Sequence, residues 1–357
     1  MVIPISDRLA RYERWLRREP MDRPLLGLLW EPDIRGLPQF LDTIDRVRPL
    51  SPHLIEPQIF LPHIEAAFQR CQKLHTDVIQ SFGPGFSIPW IEGYVGCPVV
   101  RGGDTLWVEP FLESYDDRPP ITIDTDNPWL RKYIGFIEVL VDCSDGRFPV
   151  VHPPLHRPLY ALAQMRGQEQ LCFDLVDNPV GVRKILHELG DLWMHFVDAS
   201  LRIIPPFHGG YSTWLKAWMP GPAITLQNEF GTLISPDTHA EFVHPLDQAA
   251  VNRFPHGQVY HTHGSAWHQI DDLLSVDGLT AIQLDVEQYT GGPPLNVMLS
   301  AAKKILDAKP LVLTVPDPET ADICMAQLPS TGLYINVLVV PRDLGDEYDA
   351  WLGARCT

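Results

Sequence analysis

The feature that most constrains this chain is an alternation of short apolar runs with amphipathic, helix-length stretches, repeated about eight times and punctuated by proline at nearly every change of direction. Leu25-Leu26-Gly27-Leu28-Leu29-Trp30 is apolar throughout, as a strand buried on both faces must be. Thr76–Gln80, Phe148–His152, Trp214–Trp218, Val259–His261, Ala281–Leu284, Leu311–Val315 and Leu333–Val340 read the same way. Between them, Ser6–Arg18, Ile64–Lys73, Trp129–Val141, Leu159–Arg166, Glu169–Val176, Ser265–Val276 and Pro293–Ala308 carry helical character. Asn178-Pro179, Ser235-Pro236 and Asp317-Pro318 pair a capping side chain with a proline at the first helical position. Strand and helix in strict turn predict a parallel sheet with helical crossovers. Eight units in 357 residues, without a linker or a compositional break, predict one domain over residues 1–357, a single (β/α)8 barrel. Residues 82–128, rich in Gly, Pro and Trp, predict an elaborated loop.

Twenty-eight Lys and Arg against 45 Asp and Glu give a formal charge of −17, which argues against nucleic acid, anionic membranes and polyanionic substrates as partners. The six cysteines are scattered without CxxC spacing and read as reduced thiols. No apolar run approaches the ~20 residues of a membrane span, and the first residues lack the basic and apolar regions of a secretory signal, so a cytoplasmic location is expected. No GxGxxG or GxxxxGK[ST] marks a nucleotide site. A homodimer is one expected assembly.

In a barrel, working groups stand at the carboxyl ends of strands. That rule nominates Trp30, Glu31 and Asp33, then Asp77, His152 and His156, Gln227 and Glu229, His261 and His263, and finally Gln283, Asp285 and Glu287. His261-Thr262-His263-Gly264 is the sharpest signal. Two imidazoles at i and i+2 point to one side of a strand as it ends, and with the Glu229 carboxylate they offer nitrogen and oxygen ligands to a divalent ion, zinc first, with a fourth position open. Metal-free acid–base chemistry at the same residues is the alternative.

Several motifs in order resemble the uroporphyrinogen decarboxylase superfamily: Arg18…Asp22-Arg23-Pro24, His75-Thr76-Asp77-Val78, Leu162–Gly167 with Leu175–Pro179, Leu233–Pro236, and Tyr260-His261-Thr262-His263-Gly264 leading to Asp272–Leu274 and Gly278–Gln283. The resemblance implies a barrel with a deep polar pocket at its C-terminal mouth. It departs from the true decarboxylases, because Trp30-Glu31-Pro32-Asp33 replaces their arginine-rich loop. It is nearer the corrinoid-linked methyltransferases, whose zinc is held by His-x-Cys and a later Cys. Here His263 replaces the first Cys, Leu333 stands near the expected place of the second, and Cys324 and Cys356 are no obvious substitutes. The resemblance therefore implies methyl transfer from a small methylated substrate, with a corrinoid protein or a thiol as acceptor. A metal-free decarboxylase or lyase using Asp77 and His261, and a silent ligand-binding barrel, remain open. The assigned residues are Asp77, Glu229 and His261 as catalytic groups. Trp30, Trp90, Glu92, His152, Tyr160 and Gln283 line the pocket, and His261, His263 and Glu229 hold the metal.

Overall fold

The computed structural model describes residues 3–29, 40, 48–85, 88–102, 105–287, 291–339 and 346–356. Ten strands occur among them: β1 (Leu25–Leu29), β2 (Val99–Gly102), β3 (Thr105–Val108), β4 (Tyr211–Ser212), β5 (Trp218–Met219), β6 (Ile224–Gln227), β7 (Gln258–Thr262), β8 (Ala281–Asp285), β9 (Leu311–Val315) and β10 (Leu333–Leu338). Six form one parallel sheet in the order β1-β10-β9-β8-β7-β6. The connections carry helices Pro236–Phe242 and His244–Arg253 (β6 to β7), Ile270–Ser275 (β7 to β8), Leu295–Ala308 (β8 to β9) and Pro318–Gln327 (β9 to β10). This is the alternation that the sequence predicts. The three expected caps are made: Asn178, Ser235 and Asp317 accept from the backbone N–H groups of Gly181, Thr238 and Thr320.

Two extended segments lie beside the sheet's edge strands. Asp77 N–H donates to the Leu26 carbonyl at 3.0 Å, which sets residues 76–80 against β1. Phe82 and Val150 form a parallel bridge, and the next residue but one, His152, accepts at Nε2 from the N–H of Thr225 in β6 at 3.4 Å. The expected strands Thr76–Gln80 and Phe148–His152 are thus extended chain with local bridges.

One expected strand is corrected. Trp214–Trp218 is not a strand of the sheet; it belongs to the β4–β5 hairpin, in which Tyr211 pairs with Met219 and Ser212 with Trp218. The strand that leads to Glu229 is β6, formed by Ile224-Thr225-Leu226-Gln227. Its β-branched and polar alternation after Pro222 is a short signal that the aromatic-rich run upstream outweighs.

Period-two geometry sorts each strand's side chains between two cores. Leu26, Tyr260, Ile282, Leu313 and Ile335 join the large outer core under the helices. Leu25, Val259, Ala281, Val312 and Tyr334 join an inner core with Tyr12, Trp15, Trp214 and Trp218. Tyr12, Trp15 and Tyr334 meet edge to face at 5.9–6.3 Å, so the N-terminal helix Ile5–Leu16 closes the end of the sheet where the strands begin. Moving along the strands, the inner positions turn polar: His261 in β7, Gln283 and Asp285 in β8, Thr314 in β9 and Asn336 in β10. A parallel sheet with one apolar end and one polar end puts its chemistry at the carboxyl ends of the strands. No helix among the described residues is long and apolar enough to cross a membrane.

Candidate active site

A cavity of about 440 Å³ opens at that polar end. Strand ends supply Leu29, Gln227, His261, Asp285, Thr314 and Leu338 to its wall, and Trp214 comes from the β4–β5 hairpin. The predicted elaborated loop supplies Pro89, Glu92, and Thr105 to Val108 of β3, and residues 154–164 supply Pro154, His156, Tyr160 and Gln164. Residues 82–128 contain the helix Trp90–Tyr94 and the antiparallel β2–β3 pair, so this excursion forms a wall of the cavity.

Glu229, His261 and His263 converge there. Each offers a ligand atom within 4.8 Å of the others. His261 is the fourth residue of β7 and points inward; after Thr262, His263 repeats that direction just beyond the strand. Glu229 opens a single 3-10 turn directly after β6. Glu229 Oε2 accepts from His263 Nε2 at 2.5 Å, while its Oε1 lies 3.7 Å from His261 Nε2. The two imidazole rings sit 4.8 Å apart, and Trp214 lies 5.3 Å from His261, edge to face.

The far nitrogen of each imidazole is also held. His263 Nδ1 donates to Glu287 Oε1 at 2.7 Å, and His261 Nδ1 bonds Gln283 Oε1. Gln283 is fixed in turn by donating its amide to Thr314 Oγ1 at 2.8 Å and to Asp285. Glu287 is fixed by the N–H of Gly264 at 3.0 Å. Only glycine fits at 264: a Cβ there would come within 2.7 Å of the Asp285 carbonyl oxygen.

These contacts shape the charges. Burial would raise the Glu229 carboxyl, but the His263 hydrogen bond and the neighbouring imidazoles hold it down at about 2. Burial would lower His263, yet hydrogen bonds to Glu229 and Glu287 lift it to about 11. Glu287 is likewise below the usual carboxylate range against its burial, through His263. Asp285 is shifted upward, because burial outweighs the pull of the two histidines.

A second polar group faces the same cavity. His156 Nδ1 bonds Glu92 Oε1 at 2.7 Å, and the Tyr160 ring stands 4.6 Å from His156, edge to face. Burial opposes charge on His156, but Glu92 prevails and raises it above its ordinary value. Burial, with Glu229 and Glu92 nearby, pushes the Tyr160 hydroxyl up to about 12.

Of the residues nominated from sequence, His156, Gln227, Glu229, His261, His263, Asp285, Glu92 and Tyr160 line the cavity, and Gln283 lies behind His261. Trp30, with Glu31 and Asp33, lies outside the described residues. Trp90 is elsewhere, fully buried against Trp129 and Tyr133 at 6.2 and 5.5 Å. His152 is a structural residue: its Nδ1 meets the Pro153 carbonyl at 2.9 Å, its Nε2 accepts from Thr225, and burial drops it to about 4. Asp77 also stands away from the cavity. It is fully buried at the start of β1, paired with Arg23 and Arg11, and accepts from the N–H of Leu26 at 2.9 Å. A buried, doubly paired carboxylate of this kind joins the N-terminal helix to the sheet.

His156 is nominated by the strand-end rule without a role, and Trp214, which stands against His261, is not nominated. His156 sits among prolines, where packing is the usual role, and Trp214 stands in a run with strand character. No cysteine lines the cavity among the described residues. Cys324 is buried in its helix and Cys356 is near Asp77, and burial raises both thiols to about 11.

No protein-family model matches the chain, and none of the curated proteins does. Among solved structures, a methyltransferase from Methanosarcina mazei superposes with a TM-score of 0.68 over 99% of this chain and 98% of that one, at 13% sequence identity. At that identity the likeness is one of fold.

Proposed function

We propose that this chain is an enzyme whose cavity holds one divalent ion, zinc first among candidates, on Glu229, His261 and His263, and that it carries out methyl transfer from a small methylated substrate. We further take the sheet and the two extended segments, 76–82 and 148–152, as one closed (β/α)8 barrel. In that ring β1 meets the first segment, the segments meet at Phe82 and Val150, and the second meets β6.

The observation that carries the metal reading is the orientation of both imidazoles. Each has its Nδ1 engaged by a fixed acceptor, Gln283 for His261 and Glu287 for His263, so that both Nε2 atoms face the Glu229 carboxylate. Acceptors of this kind fix ring orientation and basicity in histidine metal sites. Two imidazoles so aimed at one carboxylate make a converging set of three ligand atoms. The spacing also fits: tetrahedral ligands at ~2.0–2.2 Å from zinc stand roughly 3.3 Å from one another, within the 4.8 Å spread seen here.

When bound, the ion supplies Lewis acidity at the cavity floor. The chain's own residues do the rest. Glu229 stays ionised, the strand ends hold the histidines, and Trp214 with Leu29, Leu106 and Leu338 excludes water from one side of the substrate. Methyl transfer is favoured over decarboxylation by the fold likeness together with the placement of Asp77. The carboxylate on which the decarboxylase reading depends is buried away from the cavity in an ion pair with Arg11 and Arg23. A corrinoid-carrying protein is the proposed partner, as methyl acceptor.

Protein expressed with ample zinc is expected to contain about one zinc per chain by elemental analysis, and to lose it in His261→Ala, His263→Ala and Glu229→Ala. Metal-free wild-type protein from the same medium overturns the metal reading. Methylated oxygen, nitrogen and sulfur compounds supplied with cob(I)alamin are expected to yield methylcobalamin, read by absorbance, with the zinc-loaded protein and not with His261→Ala.

A further inference from the structure

The His156–Glu92 pair has no part in holding the metal, yet it is built as carefully. The helix Trp90–Tyr94 places Glu92 in the cavity wall with its side chain only 1% exposed. Its Oε1 takes the Nδ1 proton of His156, and its Oε2 is buried without a hydrogen-bond partner among the described residues. A buried carboxylate is costly, and a half-satisfied one more so, unless it serves its neighbour. Here it fixes one ring nitrogen and leaves the other. His156 is part-exposed to the cavity, at 32%, and its Nε2 makes no hydrogen bond to any described residue. A carboxylate on Nδ1 that presents Nε2 to a ligand is a general way of aiming an imidazole. The surroundings on that side are the Tyr160 ring, Pro154 and the apolar face of β3, which suit an uncharged body rather than a string of charges.

We propose that His156, positioned by Glu92, is the substrate-anchoring residue of the cavity. Its Nε2–H donates to an oxygen at one end of a small substrate, a carboxylate or a comparable anionic oxygen. The substrate is then two-ended: a singly anionic oxygen group at His156, a ring-sized apolar body between Trp214 and β3, and a methylated heteroatom facing Glu229, His261 and His263. The placement of the far end rests on the metal reading above; the anchor at His156 does not. The imidazolium then stands between two carboxylates, Glu92 on Nδ1 and the substrate on Nε2, as His263 stands between Glu287 and Glu229. An ammonium group would meet that imidazolium head-on.

Three probes with a common body test this by titration calorimetry, with tryptophan fluorescence as a second readout: 4-methoxybenzoate, anisole and 4-methoxybenzylamine. Wild-type protein is expected to bind 4-methoxybenzoate about tenfold tighter than anisole, the worth of one charge-assisted hydrogen bond, and to bind the amine weakest. His156→Phe keeps an aromatic ring and removes the donor, so the preference should vanish while zinc content in the folded protein stays as in wild type; the melting temperature falls, because Glu92 is left buried and unpaired. Glu92→Gln should reduce the preference, because a neutral imidazole bonded through Nδ1–H shows a lone pair at Nε2. Equal binding of the acid and anisole overturns the proposal, as does a preference that survives in His156→Phe. Tightest binding of the amine, or no binding of any probe at millimolar concentration, also overturns it. A wild-type protein without zinc that still prefers the acid refutes the metal reading and leaves the anchor standing.

Discussion

A metal held as proposed on His263 would have to displace a proton. The imidazole lies between Glu229 Oε2 at 2.5 Å and Glu287 Oε1 at 2.7 Å, and these two carboxylates keep it charged up to about pH 11. Glu229 itself is ionised down to about pH 2. Across neutral pH, then, His263 carries a proton on Nε2 that an ion bound there has to displace. The interval from pH 7 to about 11 corresponds to ~5 kcal/mol of deprotonation work at roughly 1.4 kcal/mol per unit. Zinc affinity should accordingly rise about tenfold per pH unit between roughly pH 7 and pH 10. Calorimetric titration with zinc in buffers of different ionisation enthalpy is expected to show one proton released per ion near pH 7.5. Release of no proton, with affinity flat in pH, would refute His263 as a ligand. The stability of the metal-free protein follows the same groups. The pKa of His263 is raised from its ordinary 6.5, so its contribution is complete below that value and is lost as pH rises through about 11. The pKa of Glu229 is lowered from 4.5, so its contribution is present above that value and is lost as pH falls toward about 2. Zinc should flatten the alkaline side of the melting profile, because it takes the proton's place between Glu229 and His263.

Glu287→Gln and Gln283→Leu, which leave Glu229, His261 and His263 in place, are each expected to weaken zinc binding by about 10–100-fold in competition with a chelator, because they weaken or remove the acceptor on the Nδ1 side of one imidazole. Asp77→Ala leaves Arg11 and Arg23 beside an empty buried position; a loss of ~3–5 kcal/mol in denaturant unfolding is expected, with zinc content unchanged in the folded fraction. Zinc loss in that variant would return Asp77 to the site. Gly264→Ala forces a Cβ against the Asp285 carbonyl at 2.7 Å and should cost about 1–3 kcal/mol in melting experiments, with weakened zinc binding because the turn also aims His263 and anchors Glu287.

The sheet strands were legible wherever apolar runs of strand length stood between caps and prolines, as at Leu25–Leu29, Gln258–Thr262 and Leu311–Val315. The misread element was β6. Its four residues carry little signal beside Trp214-Leu215-Lys216-Ala217-Trp218, an aromatic run with strand character that instead forms part of the inner core. Only tertiary packing explains that run, because its partners Tyr12, Val259 and Tyr334 come from distant parts of the chain. The histidine pair was legible because a period of two is a local rule. Glu229 was legible as an isolated carboxylate in an apolar stretch, since burying one needs a partner. Asp77 and His152 show the limit of that reasoning. Both stand at strand-like segments and both are titratable, but whether such a side chain meets a cavity or an arginine depends on which end of the sheet it reaches. His156 shows the converse, since its meaning comes from Glu92, 64 residues earlier in sequence.

The donor set also bears on what the site does. Two neutral imidazoles and one carboxylate leave a divalent ion with a net charge of plus one, whereas a site of one imidazole and two thiolates would leave it neutral. Among the described residues no cysteine reaches the cavity, and the strand-end position of β10 is filled by Leu338. A neutral, soft site suits the activation of a thiol acceptor; a positive, harder one suits an oxygen or nitrogen of the substrate itself. Glu287 behind His263 and Asp285 beside Gln283 add carboxylate oxygens around this site, and with His263 they form a second group able to hold a metal ion, which keeps the surroundings hard. The demand therefore falls on the methyl donor. Oxygen- and nitrogen-methyl compounds should be turned over in preference to the methylation of thiols, and His263→Cys, which moves the donor set toward the thiolate pattern, should shift that preference toward thiols while zinc is retained. If His263→Cys keeps its zinc and leaves the preference unchanged, the charge of the donor set does not govern the choice of substrate.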